Sequence, residues 1–197
     1  QTHWMPNLPN SSPKKDKQMF DELNYNPLLQ SDDIKIYPTI VTQTGDRDNE
    51  EVFTVIEKWF LSGKYVPYSH EELEEVIIYG KSHIRPWVRI SRVFRDIPKP
   101  NIIGGANIPH LRQIIQQEMA EDGEYCKCIR CREIKDMTGI ERYFKCRVYE
   151  GSGGTEYFLS YESKDCKYIF GFLRLRLVKN TTTFDELKDV AMIRELH

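Results

Sequence analysis

The chain has 197 residues, of which 40% are hydrophobic and 29% are charged, a composition typical of globular proteins and not of disordered or fibrous ones. No apolar run approaches the ~18 residues that a membrane span needs, and no basic segment followed by an apolar stretch opens the chain, so we expect neither a transmembrane helix nor a signal peptide. The formal net charge of −2 hides an uneven distribution. Residues 81–147 carry 14 basic and 8 acidic side chains, net +6, which can mark a nucleic-acid surface.

The first part of the sequence alternates helix and strand signals. Ser12 followed by Pro13 predicts the start of a helix that runs to about residue 25. Ser69 and Glu72 stand in capping-box register at the start of another helix pattern. Strands are predicted over residues 34–41 and 87–94, with a further helix over 52–61. This order of elements is typical of an α/β unit with parallel strands.

The pattern changes after residue 98. A helix is predicted over residues 111–122, and a cysteine-rich segment follows it. From Arg142 onward, three β-like segments are separated by turns, which predicts an antiparallel meander, and residues 190–197 are predicted to form one more strand. We therefore expect two half-domains, an α/β unit up to about residue 98 and the beginning of a β-rich domain from about residue 140.

Three of the five cysteines lie within six residues, in the C-x-C-x₂-C pattern of Cys126, Cys128 and Cys131. Thiolates are soft ligands, and three so close in sequence can converge on one tetrahedral ion such as zinc. The clustering also favours a reducing compartment over a secreted disulfide framework. A closed site needs a fourth ligand, for which Cys146, Cys166 and His110 are the candidates. The alternative is three free thiols in a helix-to-loop connection.

Basic residues surround the cysteines and the strand that precedes them. Their functional interpretation is a surface that follows nucleic-acid phosphates, with binding that weakens as salt increases. The alternative is an ordinary solvated face with ion pairs to Asp96 and Glu133. The residues are Arg85, Arg89, Arg92 and Arg95 around the strand, and Lys127, Arg130, Arg132 and Lys135 around the cysteines.

Nine strings occur in the same order as in one known family: MPNLPN, IKIYPTIV, SGKYVPYSHEELEEVI, RPWVRISRVFRDIPKP, NIPHLRQIIQQEM, CKCIRCREI, GGTEYFLSYE, FGFLRLRLV and IRELH. Together they resemble the Elongator protein 3 family, the catalytic subunits of Elongator complexes. The resemblance covers essentially the whole chain with one discontinuity. Residues 42–61 form a longer and more acidic connection than is usual in this family, which leaves the role of that loop open.

The resemblance implies a fold of class α/β plus α+β in three parts. Residues 1–98 are similar to the C-terminal part of a radical-SAM barrel, which is a partial TIM-like barrel. Residues 99–140 are similar to a linker with a zinc-binding element, and residues 141–197 to the first strands of a GNAT-type acetyltransferase domain. The cysteines of a radical-SAM cluster and the Gly-rich acetyl-CoA pyrophosphate loop are not recognised here, so we expect an internal piece of a longer enzyme that is inactive alone.

The resemblance also implies an activity. This family forms the 5-carboxymethyl group on the wobble uridine of tRNA, and uses acetyl-CoA, S-adenosylmethionine and a [4Fe–4S] cluster. We therefore expect part of a tRNA carboxymethyluridine synthase located in the cytoplasm, with tRNA and other Elongator subunits as partners and no membrane partner. A protein or amine N-acetyltransferase and a non-catalytic tRNA-binding module are the alternatives.

Three sets of residues match sites of the family, and no residue is nominated as catalytic. The zinc ligands implied are Cys126, Cys128 and Cys131. The strand whose backbone would lie along the pantetheine arm of acetyl-CoA holds Glu195, Leu196 and His197. The residues that would face tRNA are Arg89, Arg92, Lys127, Arg130 and Arg132.

Overall fold

The computed structural model describes residues 1–44, 52–95, 97–105, 108, 110–134, 138–178 and 184–197. The helices are α1 (Pro13–Tyr25), α2 (Val55–Leu61), α3 (His70–Ser82), α4 (Leu111–Glu121) and α5 (Ile129–Arg132). The strands are β1 (Thr2–Trp4), β2 (Asp33–Ile36), β3 (Val41–Thr42), β4 (Arg89–Val93), β5 (Ile102–Gly104), β6 (Tyr143–Gly151), β7 (Gly154–Glu162), β8 (Ile169–Leu177) and β9 (Ala191–Leu196). None of the described helices is long and apolar enough to cross a membrane.

A parallel sheet of order β1-β2-β4 is the centre of the first half of the chain. The predicted parallel arrangement of the two sequence-predicted strands is confirmed by the β2–β4 pairing. Strand β1 was not expected, because its three residues stand in a Pro-rich segment with no alternating pattern. The predicted strand over residues 34–41 is divided in two, since Pro38 lacks the N–H that a continuous ladder needs. Its second piece, β3, pairs antiparallel with β5.

Helices α1 and α3 cover this sheet. The predicted caps are confirmed: the Ser12 side chain accepts from the N–H of Lys15, and Ser69 and Glu72 form a reciprocal capping box. Gly80 lets the two helices approach, because a Cβ there would lie 2.8 Å from the ring of Phe20. The core between helices and sheet is fully buried and consists mainly of Phe20, Ile34, Ile36, Leu73, Val76, Ile77 and Ile90.

The second half of the chain forms an antiparallel sheet of order β6-β7-β8-β9, which confirms the predicted meander. Its buried face is not purely apolar, because carboxylates stand on it beside Phe158 and Phe172, which are 0% and 4% exposed. The inward residues of β7 include Glu156 and Glu162, which are 3% and 0% exposed. The outward face is apolar, and five of its residues are more than half exposed: Phe144, Val148, Tyr161, Ile193 and Leu196.

Arginines neutralise the buried carboxylates and join this sheet to the first half of the chain. Arg132 of α5 lies 3.0 Å from Glu162, which also accepts two hydrogen bonds from Arg147 at 2.6 and 2.8 Å. Asp32, ahead of β2, accepts from Arg194 at 2.5 and 3.0 Å and lies 3.2 Å from Arg174. Buried charges are tolerated only when they are paired, so these contacts determine how the two sheets meet.

We predict that Glu162→Gln destabilises the fold by about 3–5 kcal/mol, because it leaves two arginines at least partly buried without their shared counter-charge. Equilibrium urea unfolding measures this loss. Glu75→Gln is the matched control, since Glu75 is 64% exposed in its pair with Lys17 and should contribute less than about 1 kcal/mol. Equal losses in the two variants would contradict the assignment.

The same variant tests a pH dependence. Burial raises the pKa of Glu162, but the hydrogen bonds from Arg147 and Ser160 and the charge of Arg132 outweigh it and lower the pKa to about 2. Because this pKa lies below that of the unfolded chain, the carboxylate stabilises the fold above about pH 4.5, and the contribution is lost as the pH falls toward 2. The slope of stability against pH in that window should therefore be shallower in Glu162→Gln.

Candidate metal centre and adjoining basic surface

The three clustered cysteines converge on one point. Cys126 follows the turn after α4, Cys128 is the N-cap residue of α5, and Cys131 lies within α5. Their Sγ atoms all lie within 4.8 Å of one another. The turn is anchored to the parallel sheet, because the N–H of Ile129 donates to the carbonyl of Val88 at 2.9 Å. A local helical turn thus brings together thiols that the sequence places two and three residues apart.

Positive charge and polar donors surround the Sγ atom of Cys131. Gln116 Nε2, an Arg112 guanidinium nitrogen and Lys81 Nζ lie 3.3, 3.8 and 3.9 Å from it. Lys81 is fully buried, and this Sγ atom is the one hydrogen-bond partner of its side chain among the described residues. A buried ammonium group needs a negative partner, so the arrangement favours a thiolate at Cys131.

Thiol acidity within the cluster follows from these contacts. The hydrogen bonds from Cys126 and Cys128, followed by the charges of Lys81 and Arg112, lower the pKa of the Cys131 thiol. Hydrogen bonds to the neighbouring sulfurs and burial raise the pKa of the Cys126 thiol. One negative charge is thereby favoured on the cluster, and binding of a divalent cation would favour the loss of the other two protons.

The donor set fits zinc. Three soft thiolates within a few ångströms match the ~2.3 Å bonds and tetrahedral preference of this ion, and the two nearby cations offset the negative charge of a trithiolate site. The predicted candidates for a fourth ligand are not in the group of mutually close ligand atoms found among the described residues. Cys146 is exposed on β6, Cys166 lies in the β7–β8 connection, and His110 precedes α4.

Protein purified without added metal is expected to contain about one zinc per chain, held by thiolates. Cys131→Ser should lower the zinc content and the melting temperature, and elemental analysis with thermal unfolding measures both. Cys146→Ser is the matched control, because this exposed thiol lies outside the cluster. A zinc content near zero in the folded wild-type protein, with all three clustered thiols freely alkylated, would contradict the site.

Lys81→Met is expected to weaken metal binding about 10- to 100-fold, since it removes the buried cation beside the thiolate while retaining the bulk of the side chain. The metal-free protein should be as stable as the wild type or more stable, because a buried charge is gone. Competition with a chromophoric chelator measures affinity, and Lys17→Met on the surface is the control. Unchanged metal affinity would show that Lys81 has no part in the site.

The residues predicted to face tRNA do not share one environment. Arg92, Lys127 and Arg130 are exposed. Arg89 is partly buried and forms an ion pair with Glu133, as the alternative interpretation of these charges expected. The assignment of Arg132 to an RNA surface is wrong, because its side chain is 2% exposed and engaged with Glu162 and the carbonyl of Pro86. Asp96 and Lys135 lie outside the described residues.

The predicted acetyl-CoA strand forms an edge of the antiparallel sheet. Glu195 of β9 pairs with Arg174 at 2.6 Å, and the backbone of His197, the residue after β9, exchanges two hydrogen bonds with Phe172 at 2.9 Å. Leu196 is exposed. The register of β9 against β8 skips Arg194, a bulge that turns this side chain toward Asp32 and Glu156. No described strand pairs with the other edge of β9.

Three residues beside the thiols were not anticipated. Lys81 continues the buried row of Leu73 and Ile77 at helical spacing, and a lysine on such a row is the signal that could have drawn attention to it. Arg112 and Gln116 stand four residues apart on one side of α4, but the sequence contains nothing that directs this side toward the cysteines.

Comparison with known protein families identifies a radical-SAM segment in the chain. Residues 31–121 match the Radical_SAM C-terminal domain. This match confirms the mixed α/β fold and the radical-SAM character of the first part of the chain, while the GNAT-type strands and the zinc linker stay predictions.

Similarity to individual proteins narrows this class to one family. The chain is 38% identical to the tRNA uridine(34) acetyltransferase of Methanocaldococcus jannaschii, over 99% of this chain and 36% of that protein. It is 36% identical to human Elongator complex protein 3, over 99% of this chain and 35% of that protein. The solved archaeal Methanocaldococcus infernus Elp3 with an N-terminal deletion matches with a TM-score of 0.87 and 36% identity, over 100% of this chain and 46% of that one. The predicted resemblance to the Elongator protein 3 family is confirmed, and the chain spans about a third of the length of the curated relatives it matches.

Proposed function

We propose that this chain is part of an acetyl-CoA-dependent acyltransferase that modifies uridine 34 of tRNA and builds a 5-carboxymethyl group there. The observation that carries the proposal is its similarity, over nearly all of its residues, to proteins named tRNA uridine(34) acetyltransferase and Elongator complex protein 3. The net positive charge of residues 81–147 supports an RNA substrate.

The three parts of the chain would belong to three different structural units of the enzyme. Residues 1–98 would form the end of the radical-SAM barrel, 99–140 the linker with its zinc element, and 141–197 the first strands of the acetyltransferase domain. The match to the Radical_SAM C-terminal domain supports S-adenosylmethionine and an iron–sulfur cluster as cofactors of the whole enzyme. The relatives' names support other Elongator subunits as partners.

Zinc would be bound by Cys126, Cys128 and Cys131 and would act as a structural crosslink. Without a metal, the three buried or half-buried sulfurs are linked to one another by hydrogen bonds. With all three bound to one ion, the turn that carries Arg130 would be fixed against α3 and α4, from which Lys81 and Arg112 reach the cluster. The protein's own contribution is therefore to hold basic side chains in a defined place.

Acetyl-CoA would supply the two-carbon unit, and the edge of β9 would bind its pantetheine arm. That arm contains amide groups, which can form strand-like hydrogen bonds to a sheet edge. The carboxylate of Glu195 is engaged with Arg174, and the backbone N–H and carbonyl of His197 are engaged with Phe172. Of Glu195, Leu196 and His197, it is therefore the backbone of Leu196, between the other two, that would make these contacts at the free edge. The exposed cations Arg92, Lys127 and Arg130 would bind phosphates of tRNA. Arg89 would contribute less, because its charge is neutralised by the ion pair with Glu133.

The experiment uses protein expressed from its complete gene, incubated anaerobically with acetyl-CoA, S-adenosylmethionine and a tRNA transcript. Digestion and mass spectrometry should detect 5-carboxymethyluridine in a transcript with uridine 34 and none in the matched transcript with cytidine 34. Acetylation of a lysine or amine substrate without any uridine product would favour the N-acetyltransferase alternative. Binding of tRNA with no product at all would favour a non-catalytic module, and either result would overturn the proposal.

A further inference from the structure

Two of the three clustered sulfurs line a cavity of about 310 Å³. They belong to Cys126 and Cys131, whereas Cys128 is 0% exposed and does not line this cavity. Gly123 and Glu124, which are exposed, form part of its rim, so a small solute can enter it from solvent. The cluster is therefore accessible to a small reagent at two sulfurs and closed at the third.

A hydrogen-bond donor stands beside the more accessible of these sulfurs. Gln116 Nε2 lies 3.3 Å from the Sγ atom of Cys131, and the same side chain lines the cavity. A donor in this place can stabilise an oxygen that leaves with negative charge when a hydroperoxide reacts at the sulfur. Thiolates that are both accessible and surrounded by positive charge and donors are the ones that oxidants attack.

The buried ammonium group of Lys81 opposes permanent oxidation of the cluster. Its side chain is 0% exposed and lies 3.9 Å from the Sγ atom of Cys131, its one hydrogen-bond partner among the described residues. A disulfide sulfur has no negative charge, so oxidation of Cys131 would leave this ammonium without a counter-charge. The penalty affects the oxidised state alone, and a disulfide formed here would therefore be easy to reduce.

We propose that the cluster is a reversible oxidation site, where a hydroperoxide such as hydrogen peroxide converts Cys126 and Cys131 to a disulfide and so releases the metal. The inference rests on the proposed function in one respect, namely that zinc is the ion these sulfurs hold. A disulfide between the two would leave the site with one thiolate of three, which is too few to retain zinc. The oxidant concentration would thus control whether the turn that carries the cysteines is crosslinked by a metal.

The chemistry needs one equivalent of hydrogen peroxide. The thiolate sulfur of Cys131 attacks one peroxide oxygen, the O–O bond breaks, and hydroxide leaves, which produces a sulfenic acid. The thiolate sulfur of Cys126 attacks the sulfenic sulfur, the S–O bond breaks, and a second hydroxide leaves. The two sulfurs lose two electrons, the peroxide gains them, and the two hydroxides take protons from the buffer. A thiol such as glutathione reverses the reaction by thiol–disulfide exchange.

The first test adds hydrogen peroxide to the zinc-loaded chain and follows released metal with a chromophoric indicator. Trypsin cleaves after Lys127, Arg130 and Arg132, so each clustered cysteine falls on its own peptide, and mass spectrometry identifies the joined pair. About one zinc should be released per disulfide, with Cys126 joined to Cys131 and Cys128 still open to alkylation. Glutathione should restore the thiols and metal binding.

Cys146→Ser is the matched control, because this exposed thiol lies outside the cluster and its loss should not change the release of zinc. A disulfide between Cys128 and either neighbour would overturn the assignment of the pair. Sulfinic or sulfonic acid as the main product would overturn reversibility, and retention of all three thiols in excess peroxide would overturn the site.

A second test isolates the role of Lys81 and uses the metal-free chain. In glutathione buffers, Lys81→Met should shift the equilibrium toward the disulfide about tenfold or more, because the thiolate loses its buried counter-charge. Oxidation should lower the melting temperature of the wild-type chain by about 5 °C or more, and that of Lys81→Met by less. Lys17→Met, at a partly exposed surface lysine, is the control. Equal equilibria and equal temperature shifts in the three proteins would overturn the role of Lys81.

These results are separable from those that test the proposed function. A chain that contains no zinc as purified but forms the same disulfide would contradict the zinc assignment and support the oxidation site. A chain that retains its zinc and its thiols in excess peroxide would support the zinc assignment and overturn the oxidation site. Neither outcome depends on whether uridine 34 is modified, because every measurement concerns metal, thiols or stability.

Discussion

A buried ion pair between Arg132 and Glu162 joins segments that are far apart in the chain. The guanidinium of Arg132 also donates to the carbonyl of Pro86, just ahead of β4, at 2.6 Å. Since neither charge reaches solvent, α5 takes the one position in which the two groups meet. The same position sets the thiols of α5 beside Cys126 and fixes the backbone of Arg130 between them. One electrostatic constraint therefore underlies the antiparallel sheet, the cluster and the basic surface together.

Local chemistry made the helices and the meander predictable. Ser12 with Pro13, and Ser69 with Glu72, satisfy the first N–H groups of α1 and α3 from their own segments, so the signal and the structure coincide. The convergence of the three cysteines was also predictable, because it depends only on their short spacing within one segment. Strands β1 and β5 were missed because each has three residues and exists only through its partner strand.

The sequence did not predict which face of the antiparallel sheet is buried. A period of two along β7 separates Glu156, Phe158, Ser160 and Glu162 from Tyr157, Leu159 and Tyr161, but it does not say which side is buried. The usual assumption buries the apolar side. Here arginines of α5, β6, β8 and β9 neutralise the acidic side, and it becomes the inner face. Arg132 was misassigned to an RNA surface for the same reason, since its partner lies thirty residues away in sequence.

The bulge at Arg194 has a consequence for how this molecule can vary. Its guanidinium spans Asp32, at the start of the parallel sheet, and Glu156, within the antiparallel one. A chimera that joins the first 140 residues of one relative to the β-rich segment of another would therefore fold only if each acidic residue on one side of this contact meets a basic residue on the other. The two sheets are distinct in sequence and topology, but they can be exchanged between relatives only together, because the charged residues at their contact must change as a set.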